Sequence, residues 1–342
     1  MDSWAVAPGQ RASGVLETTA YRNGIKVGIP IVVVRGAADG PALTVLAGQH
    51  GRELNGIEAI RRVLLQLDPR RLKGRAIFIP CANPVAVRIR QQDYPHERGR
   101  YLAPAQGFNL SFDWPGAPDG TLYRQMADAM WRAAVSRSAV CIDLHGWSGA
   151  SASLVWGALR DADLVRAFGL DLHMIKREAD MKARTPCLES ACWGAGIRIV
   201  TAELTPQKTL CEASVVAGAR GVLNIMKKTG MLDGDLDLPP TQIELDDGES
   251  EPHREHALKA EFAGLLVPRV HVPALVKAGE TFAELVDLDD VQHVQAIRSP
   301  IDGVVFNVGG PHWSEEMAET SVKDAGETVA LVKSYRRCIR NA

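Results

Sequence analysis

Between residues 28 and about 230 the chain alternates short β-rich runs with segments of helical spacing, and this alternation restricts the fold more than any other feature. The runs are "IPIVVVRG", "ALTVLAG", "RAIFIPCA", "AVCIDLHG", "ASLVWGAL" and "IRIVTAEL". Between them, "RELNGIEAIRRVLLQL" sets Leu54, Ile57, Ile60, Val63 and Leu64 at helical intervals with charges in the gaps, and "TLYRQMADAMWRAAVS" repeats the pattern. Strands alternating with amphipathic helices predict an α/β fold, with a central, largely parallel or mixed sheet and helices on its faces. The segment "QGFNLSFDWPGAPDG" is aperiodic and rich in turn formers, and is read as a long loop over the sheet.

A chain of 342 residues is long for a single core and suits one large α/β domain plus a smaller one. Around residues 233–256 it becomes acidic and turn-rich, and short Val-rich strands follow. A boundary near residue 240 is expected to separate a catalytic α/β domain, 1–239, from an all-β domain, 240–342. In the latter, "VKAGETFAELV" (Val276–Val286) and "VKDAGETVALV" (Val322–Val332) are near copies. Two related β-hairpin units folding into one barrel or sandwich explain the repeat. "SPIDGVV" resembles the strand-turn-strand of biotinyl and lipoyl carriers, but a carrier needs a lysine at the tip, where this chain has Asp302-Gly303.

With 39 basic and 41 acidic residues the charge is nearly balanced, and no basic stripe offers a nucleic-acid footprint. The N-terminus lacks a signal-peptide pattern, and no apolar run approaches the roughly eighteen residues needed to span a bilayer. The six cysteines form no CxxC and suit a reduced compartment. The expected setting is cytoplasmic, with a small molecule as partner, no nucleic acid or membrane, and a homo-oligomer left open.

The stretch "LAGQHGRELNG" carries His50 and Glu53 three apart, directly after the strand "ALTVLAG". An HxxE pair alone is cheap. Here it stands at the carboxyl end of a strand, where α/β sheets place ligands, with Glu53 expected in the first helical turn. In "CIDLHGWSG" a second strand ends in His145, and alternation puts Asp143 on the same face, a candidate to position the imidazole. Two histidines and a carboxylate make the three-ligand set of a catalytic zinc site, with one position left for water. A third strand, "IRIVTAEL", delivers Glu203 near its own carboxyl end. Its bland reading is a buried partner of Arg198 or Arg184. The tail histidines His253, His256, His271, His293 and His312 lack zinc-type spacing.

Taken in order and spacing, "GQHGRELNGIEA", "ANPVA", "GFNLSFDWPG", "CIDLHG" and "VTAEL" resemble the succinylglutamate desuccinylase/aspartoacylase family, a branch of the zinc carboxypeptidase superfamily. The resemblance covers residues 28–210 and, more loosely, the tail. It implies that His50, Glu53 and His145 bind zinc and that Glu203 is the general base that activates the attacking water. The implied activity is hydrolysis of an amide bond in a small N-acylated amine or amino-acid-like molecule. Rival readings are a metallocarboxypeptidase on short peptides and a catalytically silent binding homologue.

The chain departs from the family at its recognition positions. Relatives carry an arginine nine residues after the asparagine of "NP"; here that place is Gln92. Where relatives read "NLNRxFPG" this chain reads "NLSFDWPG", so the Asn-Arg pair that grips a substrate carboxylate is replaced by Ser111-Phe112. Retuning for another substrate accounts for such changes beside an intact zinc set. Arg88 or Arg90, two apart on what reads as a strand-like edge, is the candidate cation for the oxyanion. Phe112, Trp114 and Trp147 are candidates to line a pocket for an apolar group.

Overall fold

A computed structural model of the protein describes residues 2–18, 24, 26–93, 109–178, 186–246, 255–309 and 321–341. Arg184, His253, His312 and the first residues of the "QGFNL" stretch, 106–108, lie outside them. The chain divides into two compact units, one of residues 1–146, 155–169 and 176–238, the other of residues 147–154, 170–175 and 239–342.

In the first unit the strands are β1 (Gln10–Glu17), β2 (Gly28–Arg35), β3 (Ala38–Ala47), β4 (Lys73–Ile79), β5 (Val140–His145), β6 (Leu154–Ala158, its first residue counted with the second unit) and β8 (Arg198–Glu203), and they lie in the order β1-β2-β4-β3-β5-β8-β6. β3 pairs in parallel with β4 and β5, and β5 with β8, while β1, β2 and β4 are joined by antiparallel pairings. The expected mixed α/β sheet is therefore present, and each of the six β-rich runs supplies one of its strands.

Helices cover both faces. α1 (Asn55–Gln66) and α6 (Glu212–Lys228) pack together on one side. Close approach there depends on glycine: a Cβ on Gly56 would come within 2.8 Å of Leu144 Cβ, and one on Gly218 within 2.5 Å of Leu204 Cδ1. On the other side α3 (Leu122–Ala133) and α5 (Leu188–Gly194) bury Met126, Met130, Leu188 and Cys192 against Ile31, Ile77, Ile79, Cys141 and Ile199. Burying each such aliphatic side chain stabilises the fold by about 1.5–3 kcal/mol before conformational entropy is counted. The first unit also contains α2 (Pro84–Ile89) and α4 (Ala162–Phe168).

In the second unit β7 (Leu172–Lys176, its last residue counted with the first unit) pairs in parallel with β9 (Thr241–Leu245), which pairs antiparallel with β18 (Tyr335–Arg340). Eight more strands follow in the tail: β10 (Glu255–Lys259), β11 (Gly264–Pro268), β12 (Ala274–Val276), β13 (Thr281–Asp287), β14 (Val294–Arg298), β15 (Gly303–Val308), β16 (Val322–Lys323) and β17 (Thr328–Lys333). They form two four-stranded sheets, ordered β10-β17-β15-β12 and β14-β13-β11-β16, around Phe282, Leu285, Val305 and Val332.

The internal repeat takes a form different from the expected hairpins. β12 pairs with β15 and β13 with β11 and β14, so the first copy turns a corner from one sheet to the other. The second copy does the same in reverse, since β16 pairs with β11 and β17 with β10 and β15. Each corner holds a left-handed glycine, Gly279 at φ 82° and Gly326 at φ 84°. In each, a glutamate accepts a backbone N–H three residues back at 2.8 Å, Glu280 from Lys277 and Glu327 from Asp324. Repeated "GET" is thus a corner signal and not a hairpin signal.

Candidate active site

β3, β5 and β8 all end at one edge of the first unit's sheet, and the candidate residues stand at those ends. Gly48, with φ 67°, turns the chain out of β3. The next residues form a tight loop in which Glu53 donates its N–H to the His50 carbonyl at 3.4 Å. Gly51 is needed for proximity more than for backbone angle: a Cβ there would lie 2.2 Å from the carbonyl oxygens of both Ala86 and Gln91. Helix α1 begins at Asn55, so Glu53 lies just before the helix and not in its first turn. Asn55 ties that start to the loop after β8, donating to the carbonyls of Leu204 at 3.0 Å and Pro206 at 2.9 Å. The side chains before α1 are thereby fixed relative to Glu203.

The two histidines converge on Glu53. His50 Nδ1 is 2.7 Å from Glu53 Oε1, and His145 Nδ1 is 2.9 Å from Glu53 Oε2. All three side chains are buried, and one ligand atom from each lies within 4.8 Å of the others. Among the described residues this is the one cluster of three or more such groups that could hold a metal ion. The outer ring nitrogens are also engaged. His50 Nε2 is 2.9 Å from Asn109 Oδ1 and 3.1 Å from Ser111 Oγ, and His145 Nε2 is 3.0 Å from Asp143 Oδ2. An imidazole that donates its outer N–H to an oxygen presents the lone pair of its inner nitrogen, the arrangement that orients metal-binding histidines. The donor set and its surroundings fit a divalent metal.

Charges in the site reflect the same packing. Burial pushes the His50 imidazole down, but the Glu53 carboxylate outweighs it and holds the group up at about 9. His145 is likewise held well above its usual range, because Asp143 and Glu53 overcome the cost of burial. Glu53 feels the reverse: burial raises it, and the two imidazoles bring it down to about 2.

Glu203 is paired in register with His145 across β5 and β8. It is buried, and its Oε2 has no hydrogen-bond partner among the described residues. Burial drives its carboxyl well above the usual range, opposed by His145 and reinforced by Glu53. The structural alternative does not hold for Arg198, which pairs with Asp161 at 3.0 Å and with Asp163. Among the described residues no arginine or lysine forms an ion pair with Glu53, Asp143 or Glu203.

Gln92, expected at the place of the family's arginine, reaches the centre: its Nε2 is 3.3 Å from Glu53 Oε1. Ser111 touches His50, and Phe112 is half-buried in the same turn, Leu110–Phe112. Two expectations are corrected. Arg88 and Arg90 do not share a strand edge, because Asn83 caps a helix by accepting from Ala86 N at 3.1 Å, Pro84 starts it, and Arg90 closes it in the left-handed region at φ 59°. Both arginines are exposed, and Arg88 bonds the Pro84 carbonyl of its own helix at 3.2 Å. Trp114, expected to line a pocket, is at 1% exposure a core residue, and its Nε1 donates to Gln49 Oε1 at 2.9 Å. Trp147 belongs to the second unit, where its ring meets Phe306 edge-on at 5.5 Å.

Sequence reasoning missed Gln49, Asn109 and Gln207. Gln49 donates to both Asp143 oxygens at 2.8 Å, and Gln207 donates to the Gly146 carbonyl at 2.6 Å. Only Gln49 carried a signal, as the residue directly before a candidate ligand.

Comparison with known proteins agrees with this fold. The family model described as the succinylglutamate desuccinylase/aspartoacylase catalytic domain matches residues 39–229, more than half of the chain. The N-alpha-acetyl-L-2,4-diaminobutyric acid deacetylase of Halomonas elongata is 29% identical over 271 residues, covering 76% of this chain and 74% of that protein. Among solved structures, the product-bound ectoine utilization protein EutE of Ruegeria pomeroyi superposes with a TM-score of 0.73 at 21% identity, over 96% of this chain and 97% of its own. A succinylglutamate desuccinylase from Silicibacter sp. TM1040 gives a TM-score of 0.72 at 21% identity, over 97% and 98%. At such identities the superpositions speak for the fold, and the family model speaks for descent: this chain belongs to the succinylglutamate desuccinylase/aspartoacylase family.

Proposed function

We propose that the protein is a zinc-dependent N-deacylase that hydrolyses the amide bond of a small N-acylated amine or amino-acid-like molecule, with His50, Glu53 and His145 as metal ligands and Glu203 as general base. The observation that carries the reading is Glu203 set in register beside His145, with one buried oxygen unpartnered, next to a three-residue ligand set whose outer ring nitrogens are already engaged. Two histidines and a glutamate are the ligands of open catalytic zinc sites.

A zinc ion held there supplies Lewis acidity to the attacking water and the amide carbonyl. Glu203 takes the water proton as the new C–O bond forms and passes it to the nitrogen as the C–N bond breaks, releasing acid and amine. Positive charge retained beside Glu203 favours its ionised, proton-accepting form against the effect of burial. Asn109 and Asp143 hold the two imidazoles in the orientation that points Nδ1 inward. Gln92 offers an uncharged amide N–H where relatives carry arginine.

Substrate class follows from charge. Glu53, Asp143 and Glu203 meet no lysine or arginine partner among the described residues, and Gln92, Ser111 and Phe112 offer no carboxylate clamp. Such a site favours a neutral or amine-bearing N-acyl compound over a dicarboxylate, in line with the acetylated diaminobutyrate named for the Halomonas relative. A silent binding protein has no use for a buried base, which disfavours that reading. The test is a panel of N-acyl amines and N-acyl amino acids incubated with zinc-loaded protein, with amine release as readout. Release by the wild type and not by Glu203→Gln is expected; no release from any member contradicts the proposal.

A further inference from the structure

We propose that Trp114 and Gln49 form a positioning pair that fixes which nitrogen of His145 faces the metal, an inference that rests on the ligand assignment above. Gln49 is fully buried between three groups: Trp114, Asp143 and His145. Its Oε1 accepts from Trp114 Nε1 at 2.9 Å, and its Nε2 donates at 2.8 Å to each oxygen of Asp143. An indole N–H only donates and a carboxylate only accepts, so the amide has one acceptable orientation. Turned over, it would set donor against donor at Trp114 and acceptor against acceptor at Asp143.

That orientation fixes Asp143, and Asp143 fixes the histidine. Gln49 Nε2 also lies 3.3 Å from His145 Nε2, while it bridges both oxygens of Asp143 and so holds the carboxylate against the ring. The carboxylate only accepts, so His145 Nε2 carries a proton and donates it to Asp143 Oδ2 at 3.0 Å. The Nδ1 lone pair is left for the side where Glu53 stands, 2.9 Å away. Trp114 therefore acts through Gln49 and Asp143 on a nitrogen that it does not touch. If Trp114 loses its N–H, the buried Gln49 oxygen has no donor, and the amide is free to shift against the carboxylate that holds the ring.

Trp114→Phe removes the N–H and keeps a ring, and Gln49→Met removes the amide at similar length. Zinc affinity is read by competition with a chromogenic chelator, and ligand geometry by the visible spectrum of the cobalt-substituted protein. Loss of an outer partner of a metal-binding histidine weakens metal binding by about ten- to a hundredfold. We expect that loss for Gln49→Met and about tenfold for Trp114→Phe, with an altered cobalt spectrum in both. The double variant should fall within about twofold of Gln49→Met, because the two residues act along one path. A merely structural pair would lower thermal stability in both variants and leave the zinc affinity of the folded protein unchanged. Wild-type affinity and cobalt spectrum in folded Trp114→Phe overturn the inference; if that variant does not fold, the same result in Gln49→Met does. Wild-type protein that takes up no zinc overturns the ligand assignment itself, before any variant is compared.

Discussion

Gly51 sits between two proposed ligands, and replacing it with alanine tests how tightly the centre depends on the turn that carries it. The new Cβ would lie 2.2 Å from two backbone oxygens, those of Ala86 and Gln91, whereas ordinary contact begins near 3.4 Å, so each carbonyl must retreat by about 1.2 Å. Neither oxygen ends a flexible side chain. Overpacking usually costs about 1–3 kcal/mol, and with two backbone atoms to move we place Gly51→Ala near 3 kcal/mol. The displaced segment closes α2 and leads to Gln92, whose carbonyl accepts the Gly51 N–H at 3.0 Å and whose side chain reaches Glu53. Ångström-scale misplacement of reacting groups costs on the order of a hundredfold in rate, and a loss of that size is expected in amine release. Gly194→Ala is the control: no heavy atom lies within 4 Å of its Cβ position, and a gain of about 0.4–1 kcal/mol is expected from reduced unfolded-state entropy. Urea unfolding of the metal-free proteins gives the stability difference. Wild-type stability and turnover in Gly51→Ala would refute the reasoning.

Three further outcomes are expected. Glu203→Gln should keep its zinc and lose about a hundredfold or more in turnover; near-normal turnover returns this carboxylate to a structural role. Because His50 is held at about 9 and His145 well above its usual range, zinc must displace a proton from each at neutral pH, so apparent zinc affinity should rise with pH by roughly tenfold per unit for each proton released. Calorimetry in buffers of different ionisation heat checks this, and a buffer-independent heat contradicts it. N-acetylaspartate and succinylglutamate should have kcat/KM two to three powers of ten below that of an amine-bearing N-acyl substrate, since an unpaired buried carboxylate costs about 3–5 kcal/mol. Efficient hydrolysis of either dicarboxylate shows that a cation serves the pocket.

The parts legible from sequence were those whose signals are local. Six apolar runs became strands because their length and turn-rich flanks leave few alternatives, and His50, Glu53, His145 and Glu203 converged because strand ends in a parallel sheet share one edge. Helix α2 was misread because six residues are too few for a period and "VAVRIR" favours extended backbone. The Asn83 cap and Pro84 settle the matter over those propensities. Trp114 was misplaced for a different reason: its hydrogen-bond partner is Gln49, 65 residues earlier, and no pattern within either stretch joins them. Likewise the second unit draws in residues 147–154, where Ser151 bridges Asn307, a pairing that no window of sequence contains.

The most direct test of the account is amine release from N-acetyl-2,4-diaminobutyrate and related N-acyl amines by protein stripped of metal and then titrated with zinc. Activity that is absent from the stripped protein and rises to a plateau at about one zinc per chain is the predicted result, the stoichiometry of one three-ligand site. Release by the stripped protein equal to that of the zinc-loaded protein, or a plateau reached equally by His145→Ala, would contradict the assignment of His50, Glu53 and His145 as the centre of this enzyme.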